Sequence, residues 1–275
     1  MRIRATVAAV SGALALSVLL APAAQAAGPD FPVPLKDAQK GDTKITKAVV
    51  NGGKDIVVGT TAKKKFTIAV TATDAKGVAG GGGLLWHGRK FDEQNLSGVL
   101  NPTADEKCKK LSATSATCTV TITVNPKASW DKNGLANHMA GGGWKLFAAA
   151  GGTDDDYVIR TAYKTGIHLK RAAKLTVNAS PEPVKKGKTI TVAGALTRAN
   201  WDTGRYAGYT QQPVKLQFKK KGASAYTTLK TVKSDAKGNL KTTVKASADG
   251  TFRYVFAGTS TTPAVTSAGD AIDVR

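Results

Sequence analysis

The chain has 275 residues, 41% of them hydrophobic and 6% aromatic, with 40 Lys and Arg against 19 Asp and Glu for a formal charge of +21. That apolar share is enough to build packed cores and excludes a disordered chain, while only two cysteines exclude a disulfide-dense miniature scaffold. So one-sided a charge attracts polyanions of any kind, or serves only as a lysine-rich soluble surface that protects exposed strand edges from aggregation.

The first residues read as an export signal. Arg2 and Arg4 precede an apolar run over 5–20, broken by Ser11, Gly12 and Ser17, and Ala24-Gln25-Ala26 follows. A positive start, an apolar stretch and small residues at the cleavage positions predict a signal peptide over 1–26. The run is shorter than the roughly 20 apolar residues of a spanning helix and stops at Pro22, so a membrane anchor is not expected. No second stretch of spanning length follows, and the mature protein is expected to be extracellular, soluble and free or wall-associated. It would carry +19. Residues 27–42 contain Pro29, Pro32 and Pro34 without alternation and read as a flexible lead-in.

From residue 43 short alternating runs recur between turn signals, the pattern of an all-β sandwich. Candidate strands cover 45–50, 56–58 and 65–73, then Leu84-Leu85-Trp86, the segment around the cysteines, 143–147 and 157–169. The glycine runs 80–83 and 141–143 read as loops, or as close backbone approaches, leading into strands. Cys118 opens an alternation in which Cys118, Val120, Ile122 and Val124 share one face. Cys108 lies before it across small, turn-forming residues, so the pair is expected to form a disulfide across a hairpin. Trp86 and Trp144 fall on strands and read as core, whereas Trp130 falls in a loop. Asp154, Asp155 and Asp156 form the densest acidic cluster, a weak calcium candidate or a solvated hairpin tip.

A second domain is expected over 173–275, after a first over 43–172. Its candidate strands are 175–177, 189–196, 214–218, 226–232, 240–244, 251–256 and 271–274, with a turn at 235–239. Seven short strands match the immunoglobulin-like count. Val214, Leu216 and Phe218 form one inward face, and Phe252, Tyr254 and Phe256 another. Lys215 and Lys219 then point outward, as does Arg253. This part holds 17 basic and 6 acidic residues, so the charge is concentrated here.

The run Leu175-Thr176-Val177, Ser180-Pro181, then Lys186 to Val192 and Gly194 resembles the opening of bacterial immunoglobulin-like domains. Asp235 to Asn239, Gly250 to Tyr254 and Phe256-Ala257-Gly258 resemble the closing strands of the same group. The first domain resembles it more weakly, through 71–74 and 143–146. The whole is similar to secreted actinobacterial proteins that pair two such domains. The resemblance implies two tandem immunoglobulin-like β-sandwiches and no shared catalytic residues. The antibody-type disulfide around a buried tryptophan is missing, since both cysteines follow Trp86.

No enzyme motif emerges. Gly187-Lys188-Thr189 mimics the end of a phosphate-binding loop, but Glu182 stands where that loop needs glycine and a strand pattern follows. His87, His138 and His168 have no carboxylate at helical spacing, and no GxSxG or HExxH occurs. A non-catalytic protein without a cofactor is expected, a monomer with no specific nucleic acid. Three functions fit. The first is a structural or adhesive protein held on anionic wall polymer or polysaccharide, through Lys215, Lys219 and Arg253. The second is a carbohydrate-binding module that stacks sugars on Trp201, Tyr206 and Tyr209, taken as one aromatic loop; the alternative for that loop is that its aromatic residues pin it to the sandwich. The third is a secreted partner of another protein, such as an inhibitor or adaptor.

Overall fold

The computed structural model describes residues 36–92, 94–129 and 132–275. The signal-peptide reading and Trp130 lie outside these residues. Among the described residues no helix is long and apolar enough to cross a membrane. The chain forms two compact units.

The first unit covers most of the chain up to Ile167. It contains β1 (Ala38–Lys40), β2 (Lys44–Val50), the start of β3 (Ile56–Val58), β4 (Lys64–Thr73), β5 (Val78–Gly88) and β6 (Leu96–Leu100). β7 (Ala104–Ser112), β8 (Ser115–Val124), β9 (Gly141–Gly152) and β10 (Tyr157–Arg171) follow. One sheet has the order β2-β4-β8-β7 and the other β1-β10-β9-β5-β6. Lettered in chain order from β2, and passing over β3, these are A-B-E-D and G-F-C-C′, the arrangement of an immunoglobulin sandwich. Ala72, Ala116 and Cys118 of one sheet pack with Val78, Ala150 and Val158 of the other. Strict alternation explains β8, whose Ala116, Cys118, Val120, Ile122 and Val124 are all buried.

Two expectations for this unit need correction. Residues 38–40 of the lead-in are a strand, with Ala38 opposite Ile159 and Lys40 opposite Tyr157. Asp37 secures it, accepting hydrogen bonds from the Thr161 amide at 2.8 Å and hydroxyl at 2.7 Å. Three residues are too few for alternation to show. The glycines 80–83 are not a loop either but the middle of β5, paired with Ala148–Gly151 of β9. The close approach is real there: a Cβ on Gly83 would lie 2.3 Å from the Phe147 carbonyl oxygen. Side chains this small leave no hydrophobic signal of a strand.

The second unit takes in His168–Arg275 and two earlier segments, Val57–Ala62 and Ala136–Gly142. One sheet centres on β13 (Thr189–Asn200), flanked by β11 (Ala173–Leu175), β12 (Asn178–Ser180), β14 (Arg205–Gly208) and β17 (Asn239–Lys245). The other runs β16 (Thr227–Lys233), β15 (Pro213–Lys220), β18 (Gly250–Phe256) and β19 (Val265–Thr266), with β20 (Asp270–Ile272) also on β18. This is an A-B-E sheet on a C′-C-F-G sheet, again immunoglobulin-like. Ile190, Val192, Leu196 and Leu240 meet Val214, Leu216, Phe252, Tyr254 and Phe256 in one core. The Tyr254 hydroxyl crosses it to donate to the Val192 carbonyl at 3.0 Å, and burial pushes its pKa up to about 12. The expected turn forms as read. Asp235 accepts from the amides of Lys237 and Asn239 at 2.7 and 2.8 Å, and Gly238 takes the positive φ of 84° that follows.

A titrating contact links the sheets of the first unit. The Glu106 carboxylate on β7 accepts from the Gly81 amide on β5 at 3.0 Å. Burial raises its pKa above the ordinary glutamate value, and that hydrogen bond opposes the shift only in part. A raised folded-state pKa means the contribution is full at or below the ordinary glutamate pKa and is lost as pH rises through the folded value. Glu106→Gln keeps an acceptor for Gly81 without the charge. The variant should gain midpoint temperature relative to wild type at pH 7 and not at pH 4. Equal midpoint differences at both pH values would refute this.

Candidate polyanion-binding face

The core positions of β15 and β18 set this site. With Val214, Leu216, Phe252, Tyr254 and Phe256 buried between the sheets, Lys215, Gln217, Lys219 and Arg253 are left on the opposite face. Arg253 stands directly across from Gln217, between the two lysines. Four residues of strand separate Lys215 from Lys219, roughly 13 Å. Lys233, exposed and paired through Pro213, adds a fourth cation that the sequence reading did not select. Period-two alternation along β16, from Thr231 to Lys233, was the signal that could have found it.

The cations differ in freedom. Lys215 is exposed, and among the described residues neither it nor Lys219 nor Arg253 makes a salt bridge. Arg253 is held in place: its guanidinium lies 3.6 Å from the Tyr226 ring centroid and its Nε donates to Gln217 Oε1 at 2.9 Å. Lys219 Nζ approaches the same ring, at 5.2 Å. Stacking orders the guanidinium while leaving its terminal nitrogens available, which lowers the entropic cost of holding an anion.

The proposed aromatic sugar platform does not exist. Trp201 is only 4% exposed, and its indole Nε1 donates to the carbonyls of Val58 and Gly59 at 3.3 and 3.1 Å. Its backbone amide donates to Asn137 Oδ1 at 3.0 Å, and Asn137 in turn donates to Asn200 and Asp202. Tyr209 is buried edge-on against Phe256, with the Arg198 guanidinium over its ring. Tyr206 lies on β14 rather than in the loop, with Lys174 Nζ 4.2 Å from its ring centroid. The Asp and Asn flanks of Trp201 fasten a buried residue; they do not dress an exposed one. Arg171, also buried here, has its pKa lowered to about 10 by burial and then by Arg198, against the opposing pull of Asp202 and Tyr209.

The three consecutive aspartates do not converge. Asp154 and Asp155 are exposed, and Asp155 sits at the hairpin tip with φ 64°. Asp156 instead meets Asp42 and Asp74, their carboxylate oxygens within 4.8 Å of one another. All three already accept hydrogen bonds: Asp156 from the Asp42 amide, Asp42 from the Ala75 amide, and the buried Asp74 from Thr43 and Lys76. They serve as turn caps. Cys108 and Cys118, directly opposite on β7 and β8, form the expected disulfide. His87 Nδ1 shares a hydrogen bond with Ser97 at 2.6 Å, and its ring leans on Trp144.

The strand orders define a chain of two immunoglobulin-like sandwiches. No family model matches the chain, and no curated protein sequence does. Solved structures with similar stretches include fibronectin(III)-like modules of Clostridium thermocellum CbhA, at 10% identity and a TM-score of 0.30, covering 83% of this chain and 93% of that one. A chimeric titin Z1Z2-Z1Z2 tandem is similar at 11% identity and a TM-score of 0.28, with 85% and 99% covered. Dimeric latent PorU from Porphyromonas gingivalis gives 11% and 0.25, and there the chain spans only 22% of the other's length. The immunoglobulin-like assignment therefore rests on strand order and core, not on these likenesses.

Proposed function

We propose that this is an exported, non-catalytic structural or adhesive protein held on anionic envelope or extracellular polymers by the outer face of β15, β16 and β18. The observation that supports this reading is the alignment of Lys215, Lys219 and Arg253 on one sheet face without acidic partners among the described residues. A disulfide accords with an oxidising compartment outside the cell. A linear polyanion suits an open, flat face, where several modest charge contacts add along a strand direction.

The test uses poly(glycerol phosphate) beads and a salt series. Changing Lys215, Lys219 and Arg253 together to Gln should weaken retention more than about tenfold near 0.1 M salt and flatten its salt dependence. The same change at Lys241 and Lys245 of β17, with Lys188 just before β13, should do much less. A Lys215→Gln, Lys219→Gln double variant keeps the Arg253–Tyr226 stack and guards against a folding artefact. Equal weakening by both triples would leave only a diffuse field, and no weakening by either would leave the charge to solubility.

A further inference from the structure

The first unit holds a different cationic feature, an open hollow. Trp86 and Phe91 line an open cavity of about 460 Å³ beside Lys36, Arg89, Lys90 and Lys145. That volume falls within the range of small-molecule sites. Trp86 and Phe91 pack with Leu84, Phe147 and Ala149 and are only 3% and 9% exposed, so they give the hollow a rigid apolar wall and not an open stacking face.

The charges around it are unequal in availability. Neutral donors orient its two described carboxylates without cancelling their formal charge, which leaves four cations against two anions. Asp37 Oδ1 accepts twice from Thr161, and the bonds to the Thr161 amide and hydroxyl hold its pKa below the usual range. Asp92 Oδ1 accepts from the amides of Gln94 and Asn95 and from the Asn95 side chain. Lys145 is fixed, with Nζ 4.2 Å from the Trp86 ring centroid and donating to the Gly88 carbonyl at 2.6 Å. Lys36, Arg89 and Lys90 are exposed and make no salt bridge among the described residues. Among the described residues, three cations without a salt bridge thus border a hollow with an aromatic wall.

We infer that this cavity binds an acidic sugar unit, a saccharide ring carrying a carboxylate or phosphate, with the anion on Arg89 and Lys90 and the ring's apolar edge toward Trp86 and Phe91. Arg89 supplies the planar fork that takes two oxygens of either group, and Lys36 and Lys90 supply point charges. The site is separate from the face of the second unit, so either can fail without the other.

The experiment follows the Trp86 indole N–H signal by NMR, assigned through sequential connectivities, at constant ionic strength. Glucuronate, glucose 6-phosphate, glucose and sodium chloride are titrated in turn. A saturable shift with glucuronate or the sugar phosphate, absent with glucose and chloride, is expected, and which anion acts identifies the source. Arg89→Ala with Lys90→Ala should weaken the midpoint at least about tenfold. Lys215→Gln with Lys219→Gln should leave it unchanged. No shift from either anion, an equal shift from glucose or chloride, or indifference to Arg89 and Lys90 would overturn the inference.

Discussion

Trp201→Ala is expected to destabilise the second unit by about 3–5 kcal/mol, the cost of truncating a buried tryptophan. In a unit of this size the midpoint falls by on the order of 10–20 °C. Two effects add. The side chain leaves a void where it was 4% exposed, and the carbonyls of Val58 and Gly59 lose the indole N–H. Val58 retains a bond from the Ala172 amide at 2.9 Å, so the segment Val57–Ala62 should loosen rather than detach at once. Trp201→Phe separates the effects, keeping most of the volume and costing about 1–2 kcal/mol for the lost hydrogen bonds. Thermal unfolding of the three proteins checks this. A midpoint for Trp201→Ala within a degree or two of wild type would show the ring to be exposed and restore the sugar platform.

Loss of the Cys108–Cys118 bridge, in a Cys108→Ala, Cys118→Ala double variant, should cost the first unit about 2–3 kcal/mol, from the short loop it closes. The larger local consequence falls on β7. Its ladder to β8 is interrupted between Ala104 and Lys107 and again between Lys110 and Ser112, and it is an edge strand. Among the described residues the Glu106–Gly81 bond is a further tie. Amide exchange in β7 should therefore rise well above that in β4 and β8. Lys107, Lys109 and Lys110 still discourage edge-to-edge pairing, so loosening is expected without aggregation. Chemical denaturation with residue-resolved hydrogen exchange measures both parts. Unchanged exchange in β7 would show that side-chain packing alone holds the edge, and free thiols in the wild-type protein would remove the premise.

Local pattern was enough wherever a strand alternates strongly. The inward residues of β4, β8, β15 and β18 were legible because period-two burial repeats over several residues, and the outward Lys215, Lys219 and Arg253 follow from the same count. The Cys108–Cys118 pairing was legible because a short hairpin leaves two cysteines few other partners. Edges were harder. β1 and β12 have three residues each and β14 four, too short for periodicity. The expected strand at 175–177 proves to be two pieces, Ala173–Leu175 and Asn178–Ser180, on different parts of β13.

Composition and alternation thus carried the all-β class, two sandwiches, the disulfide and the basic face, because each depends on neighbours in sequence or on a strand's own pleat. Long-range contact settled the rest. Trp201 and its Asp and Asn neighbours look the same on a sugar-binding loop and on a pinned one; the difference is made by Val58, Gly59 and Asn137, 143, 142 and 64 residues away. The aspartates that meet are Asp42, Asp74 and Asp156, from three separate segments, not the three that are adjacent in the chain. The cavity beside Trp86 is likewise assembled from segments near residues 36, 90, 145 and 161. Burial and charge clustering at such places are properties of which chain segments the fold brings together, and no local window of sequence contains them.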